Sequence, residues 1–224
     1  MVDRIFVDVD TQVDFVDPAG ALYVPGSQEI APNIRRLLQF AGTRRITTIS
    51  PMCAHVPNDP EFQRFPPHCI EGTPGQRRYF DQLPELPRRV WHVGDAVAPT
   101  DLELEGGHHY VVMKRAFPMF ANPWMQALRE KRVFRDLPCV VFGVATDVCV
   151  RVDVLDLCAA GARVELVTDA VAGITAKDTD RALAEMRAAK LSPRRRKQIA
   201  KLAAAARWAP NKPARTLRSA ERKG

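Results

Sequence analysis

This sequence predicts an α/β fold, a doubly wound and mostly parallel sheet with helices on both faces. Short apolar runs of strand character alternate with helical stretches, and successive parallel strands need such crossovers. At 224 residues, with 46% hydrophobic and 26% charged side chains, the chain holds enough apolar material for one domain with a sizeable core. It contains no apolar segment of membrane-spanning length and no basic leader before the first strand. A cytoplasmic protein without membrane contact is therefore expected.

The elements follow in order. Residues 4–10 read as the first strand, and a Pro/Gly-punctuated loop leads to Gly26. A helix is predicted from Ser27 to about Ala41 with Ser27 as its cap. Residues 45–50 form a second strand. Residues 51–88 are rich in proline, polar groups and aromatics, and are too long for a plain connection, which marks them as a functional loop. Residues 109–114 form a further strand, 122–131 a helix, 139–143 a strand and 162–168 another. Residues 147–160 fit a crossover helix closed by Gly161 at the left-handed cap position.

Cys149 has the most suggestive position. It follows the apolar run Val140-Val141-Phe142, and a helix starting at Thr146 places its thiol in the first turn, where free amides and the positive dipole end favour a thiolate. The alternation of Val148, Val150, Val152 and Val154 also allows a strand, with Cys149 as an inert buried residue. Cys53, Cys69, Cys139, Cys149 and Cys158 are an odd set without a CxxC pair, which suits reduced thiols.

Open α/β sheets bind ligands beyond the carboxyl ends of their strands. Asp10, Lys114 and Cys149 each fall at or just after such an end. Together they make a usable set, a base for the thiol and a cation to stabilise negative charge. Taken singly, Asp10 and Lys114 read more often as a surface ion pair or as solvated strand ends.

Four segments carry a resemblance: Val7-Asp-Val-Asp10-Thr-Gln12-Val-Asp14-Phe15, Phe65-Pro-Pro-His68-Cys-Ile-Glu-Gly-Thr-Pro-Gly75, Val112-Met-Lys114 and Gly143-Val-Ala-Thr-Asp-Val-Cys149-Val-Arg151. In this order they resemble the nicotinamidase branch of the isochorismatase-like cysteine hydrolases. The resemblance implies amide hydrolysis through a thioester, with nicotinamide converted to nicotinate and ammonia. It implies Asp10 as base and later acid, Lys114 as positioning cation, Cys149 as nucleophile and the amides of Ala145 and Cys149 as oxyanion hole. A cis peptide at Val144–Ala145 and ring contacts from Phe15 and Phe65 are implied as well, with residues 117–122 completing the pocket wall.

The same resemblance implies a metal held by Cys53, His55, Glu61 and His68, bound to the ring nitrogen of the substrate. Cys53 departs from the aspartate usual at that place. A Cys/His/His/Glu set is a zinc environment, whereas the aspartate form suits iron or manganese better. Should Cys53 break the site, a metal-independent amidase or carbamoyl hydrolase becomes the alternative.

Charge separates the chain into residues 1–189, the hydrolase domain, and a basic extension, 190–224. The extension holds twelve Lys/Arg against one acid, Glu221, leaving 21 basic and 25 acidic side chains in the rest. It lacks the final strand that the family presents. Ile199, Leu202, Ala203 and Ala206 keep helical spacing in an otherwise disorder-prone stretch. A solvated extension or an out-of-frame terminus fits it better than a nucleic-acid-binding arm on a catalytically silent homologue, because no aromatic interleaving or nucleic-acid fold accompanies the charge. The expected partner is a small-molecule amide, and the sequence leaves a homo-oligomer open.

Overall fold

The first apolar run becomes β1, Ile5–Val9, and every residue of it is buried. It leads through a single helical turn, α1 (Val13–Val16), to α2 (Ser27–Arg44) and back into β2 (Thr47–Cys53). β3 (Val90–Val93), β4 (His109–Lys114), α3 (Pro123–Glu130) and β5 (Pro138–Val144) follow. A π-helical turn, Thr146–Val150, then opens into α4 (Arg151–Ala159), and β6 (Arg163–Ala172) and α5 (Ala176–Ala188) complete the order. This computed structural model describes residues 2–80, 90–94 and 103–189. The basic extension lies outside them.

The six strands form one sheet in the order β3-β4-β2-β1-β5-β6, parallel at every pairing. The chain winds outward from β1 in both directions, so the crevice beyond β1, β2 and β5 is the switch point where this architecture binds ligands. Side chains alternate across β1. Ile5, Val7 and Val9 pack into a cluster with Trp124, Leu128, Val154, Leu157 and Met186 from α3, α4 and α5. Phe6 points the other way, with Phe142 edge-on at 5.9 Å and Phe40 of α2 at 6.4 Å. Tyr110 and Trp124 stack at 5.0 Å, a geometry worth about 1 kcal/mol beyond the area it buries.

Several boundaries differ from the sequence reading, each for a local reason. Gly26, with φ of 81°, caps α2 in place of Ser27. Ser27 is already helical, and its buried hydroxyl donates to the Val16 carbonyl instead. α2 continues to Arg44, because nothing stops it until Arg45 turns left-handed. β2 runs through Pro51 to Cys53, three residues into the expected loop. Asn122 caps α3, its Oδ1 accepting from the amides of Trp124 and Met125. β3, α1 and α5 carry too weak a period to stand out. The expected close of α4 holds, with Gly161 at φ 86° directly after the cap residue Ala160. Among the described residues, no helix is long and apolar enough to cross a membrane.

Candidate active site

β1 ends by delivering Asp10. Its backbone turns left-handed, φ 47°, a conformation aspartate tolerates better than most residues, while its amide still bonds the Pro51 carbonyl of β2 at 3.0 Å. Lys114 is the last residue of β4 and pairs in register with Cys53, the last of β2. The two side chains therefore leave one edge of the sheet beside Asp10. Lys114 is fully buried, and its Nζ lies 2.8 Å from Asp10 Oδ2, 3.4 Å from Cys53 Sγ and 3.8 Å from Cys149 Sγ.

Cys149 arrives from β5. Gly143 is the hinge: its φ is +117°, and a Cβ there would sit 2.1 Å from the Val9 carbonyl oxygen, so only glycine lets β5 lie this close to β1. The Val144–Ala145 peptide that follows is cis. The amides of Val148 and Val150 both donate to the Ala145 carbonyl at 3.1 Å, which winds the turn on which Cys149 sits. The strand reading of Val148 to Val154 is thus excluded.

Electrostatics divides the labour in this cluster. Burial, with the neighbouring Cys53, raises Asp10 to about 7, although Lys114 pulls the other way. Burial pulls Lys114 down, yet Asp10 and the two sulfurs outweigh it and hold the ammonium charged. The neighbouring Cys149 and Lys114 draw Cys53 well below an ordinary thiol against its burial, while the neighbouring Cys53 and burial push Cys149 well above one. Lys114, His55 and His68 gather around Cys53 as well and favour its ionised form. Asp10 Oδ1 is buried with no hydrogen-bond donor, an acceptor left over at the cavity that Cys149 also lines.

Behind Cys53 stand His55, Glu61 and His68. His68 Nδ1 lies 2.8 Å from the Pro66 carbonyl, which can only accept, so the proton is on Nδ1 and Nε2 is a free donor of electrons. The ligand atoms of Cys53, His55 and His68 all lie within 4.8 Å of one another. Glu61 Oε1 is 3.9 Å from His55 Nε2 and 3.7 Å from His68 Nε2. His55 is fully buried, and neither ring nitrogen has a well-formed hydrogen bond, although Asp59 Oδ2 stands 3.0 Å from Nδ1. Two buried, unsatisfied nitrogens beside a sulfur and a carboxylate fit a divalent metal.

A cavity opens in front of these groups. Asp10, Cys53, Glu61, His68 and Cys149 line its floor, and Phe15, Phe65, Phe117, Val24, Val148 and Ile174 its walls. Phe15 is buried with its ring 5.2 Å from His68, and Phe65 meets Phe117 edge-on at 6.1 Å. Of the residues expected from the sequence, Asp10, Phe15, Cys53, Glu61, Phe65, His68, Ala145 and Cys149 line this cavity, Lys114 and His55 lie beside Cys53 without lining it, and of the expected wall 117–122 only Phe117 is among the lining residues.

The isochorismatase domain family matches residues 4–198. The chain belongs to this family. Its relatives include the nicotinamidase of Escherichia coli, 28% identical over 83% of this chain and 91% of that protein. The nicotinamidase/pyrazinamidase of Mycobacterium tuberculosis is 29% identical over 83% and 95%. A pyrazinamidase of Pyrococcus horikoshii, solved in complex with zinc, superposes with a TM-score of 0.64 at 27% identity, over 84% of this chain and 96% of that one. These relatives agree with the branch that the sequence motifs resemble.

Sequence reasoning gave no role to the residues that hold this isochorismatase-family site in shape. Gln12 is fully buried and reads Cys53 twice, accepting from its amide at 2.8 Å and donating to its carbonyl at 2.9 Å, while also donating to the Gln76 carbonyl at 2.7 Å. Asp14 accepts from the Cys69 amide at 2.6 Å and the Ala21 amide at 3.1 Å, joining the histidine loop to the entrance loop. Asp153 of α4 accepts from the Met119 amide at 2.7 Å and so fixes the segment carrying Phe117. Gln12 and Asp14 lie inside a motif, which was the available signal. Asp153 carries none.

Proposed function

We propose that the protein hydrolyses a small aromatic carboxamide, nicotinamide foremost, to the carboxylic acid and ammonia, with Asp10, Lys114 and Cys149 as its catalytic groups. The observation that carries this reading is the buried cluster itself, in which one ammonium touches a carboxylate at 2.8 Å and the Cys149 sulfur at 3.8 Å at the foot of an aromatic slot. The named relatives support it, being nicotinamidases and pyrazinamidases.

The chemistry follows from the proton positions. Asp10, raised to about 7, is matched to accept a proton near neutrality. It takes the Cys149 proton through Oδ1, and Cys149 Sγ attacks the carboxamide carbon. Lys114 stays charged and limits the cost of the developing negative charge. The amides of Ala145 and Cys149 receive the oxyanion, a stabilisation worth about 3 kcal/mol per preorganised donor. Asp10 returns its proton to the departing nitrogen, ammonia leaves, and a thioester remains. Asp10 then deprotonates a water that attacks this thioester, the acid departs, and the thiol recovers its proton.

Cys53, His55 and His68, with Glu61 at their side, would hold a divalent metal, and the thiolate and two imidazoles favour zinc. A bound ion supplies a Lewis acid for the ring nitrogen of the substrate. Phe15 and Phe65 clasp the ring between apolar surfaces, which orients its carboxamide toward Cys149.

The test is ammonia release from nicotinamide and a panel of small amides by the wild type and by Cys149→Ala. Release from nicotinamide that vanishes in the folded variant is the expected result. Equal release from both proteins across the panel would sink the assignment.

A further inference from the structure

We propose that Cys53 and Cys149 form a redox-modification site, in which hydrogen peroxide joins the two sulfurs as a disulfide that withdraws the nucleophile and a metal ligand in one step. The inference rests on the roles given above to Cys149 and Cys53.

The geometry is specific to this pair. Cys53 Sγ and Cys149 Sγ share one ammonium, at 3.4 and 3.8 Å, which brings the two sulfurs to one buried point. They arrive from different strands, Cys53 as the last residue of β2 and Cys149 in the turn after β5. Both line the same cavity, so a molecule as small as a peroxide reaches them through the substrate's own entrance. The remaining cysteines are placed otherwise. Cys69 turns its sulfur toward the Gly75 carbonyl at 4.0 Å, and Cys139 is wholly buried in the core on β5. All five thiols are free in this structure.

The chemistry balances in two steps. The sulfur of Cys53 attacks one peroxide oxygen. The O–O bond breaks, a sulfenic acid forms, and the other oxygen leaves as water with the thiol proton. Cys149 then attacks the Cys53 sulfenyl sulfur, the S–O bond breaks, and the hydroxyl departs as a second water with the Cys149 proton. Two thiols are oxidised by two electrons in total and one peroxide is reduced to two waters. The ammonium of Lys114 sits against both sulfurs and stabilises the negative charge at each step. An aspartate in place of Cys53 has no such reaction, and Cys149 would then stop at the sulfenic acid or pass on to the irreversible acids.

The test uses purified full-length protein treated with hydrogen peroxide and examined by intact mass, alkylation of free thiols and peptide mapping. The expected product has lost two hydrogens and two alkylatable thiols, contains a peptide linking Cys53 to Cys149, and reverts fully with dithiothreitol. Cys53→Ser treated in the same way should gain oxygens on Cys149 that dithiothreitol does not remove. Oxygens added to Cys149 in the wild type while Cys53 remains alkylatable would overturn the proposal, as would a link from either residue to Cys69. Wild-type mapping decides the matter even if the variant fails to fold. Because the readout is mass, a failure here is distinguishable from a failure of the amidase reading, which shows only in turnover.

Discussion

Replacing Gln12 with alanine separates the support of the site from its chemistry. The side chain makes three hydrogen bonds, to the Cys53 amide, the Cys53 carbonyl and the Gln76 carbonyl, all at 2.7 to 2.9 Å. Each contributes about 1 kcal/mol net, and the buried Cys53 amide left without a partner costs roughly 1 to 2 kcal/mol more. The sum is about 4 to 5 kcal/mol, which lowers the melting temperature by about 10 to 15 °C for a domain of this size. Because the lost bonds set where Cys53 points, metal affinity should also fall by about 10- to 100-fold, the usual range for an outer-shell partner. Calorimetry and zinc titration measure the two effects. Gln12→Glu sharpens the test, since its carboxyl would face two carbonyl oxygens and be driven toward the protonated form. A carboxyl raised on folding stabilises below its unfolded value, about 4.3, and loses that contribution as pH rises through the folded value. Gln12→Glu should thus close its gap to the wild type on acidification. A Gln12→Ala protein that melts with the wild type and binds zinc as tightly would refute the reasoning.

The remaining predictions concern the cluster and its scaffold. Asp10 must be ionised to accept the thiol proton, so kcat/KM should fall about tenfold per pH unit below about 7; a flat profile on that side would remove Asp10 as the base. Gly143→Ala places a methyl 2.1 Å from the Val9 oxygen at φ +117°, and should destabilise by roughly 3 kcal/mol or more in urea unfolding. An unchanged midpoint would mean that β1 and β5 separate freely. Zinc at a hundredfold excess over its dissociation constant should stabilise the protein by about 2.7 kcal/mol, and His55→Ala should abolish the gain. Since His55 is held up to about 9 by Cys53 and Asp59 against its burial, protons compete for the ring, and zinc affinity should rise with pH toward that value. Equal stabilisation of wild type and His55→Ala would move the metal elsewhere.

Much of the site was legible because its residues close strands. Asp10, Lys114 and Cys149 could be placed at one end of a sheet once the alternation of elements was read, and the motifs supplied their roles. The contacts that hold them were not legible, since each joins distant segments: Gln12 to Cys53, Asp14 to Cys69, Asp153 to Met119. The same holds for the meeting of Cys53 and Cys149 at Lys114, the two cysteines lying nearly a hundred positions apart. Local chemistry misled at Ser27, a good capping residue by type, because Gly26 could take the left-handed turn one position earlier. The π-helical turn at Thr146 gave no sign either, as its extra residue disturbs no apolar period of useful length.

The pairing of Cys53 with Lys114 across β2 and β4 has a further consequence. Adjacent strands are fixed about 4.8 Å apart by their ladder, so the residue that would grip a ring nitrogen and the residue that holds the reacting end cannot drift relative to one another. On the proposed reaction, the sheet acts as a ruler laid along the substrate. A carboxamide at the ring position that spans the two grips is brought to the sulfur, while its isomer with the carboxamide one carbon further round is presented out of reach. Discrimination between regioisomers would then be written into a backbone register rather than into any side chain that a single mutation could exchange.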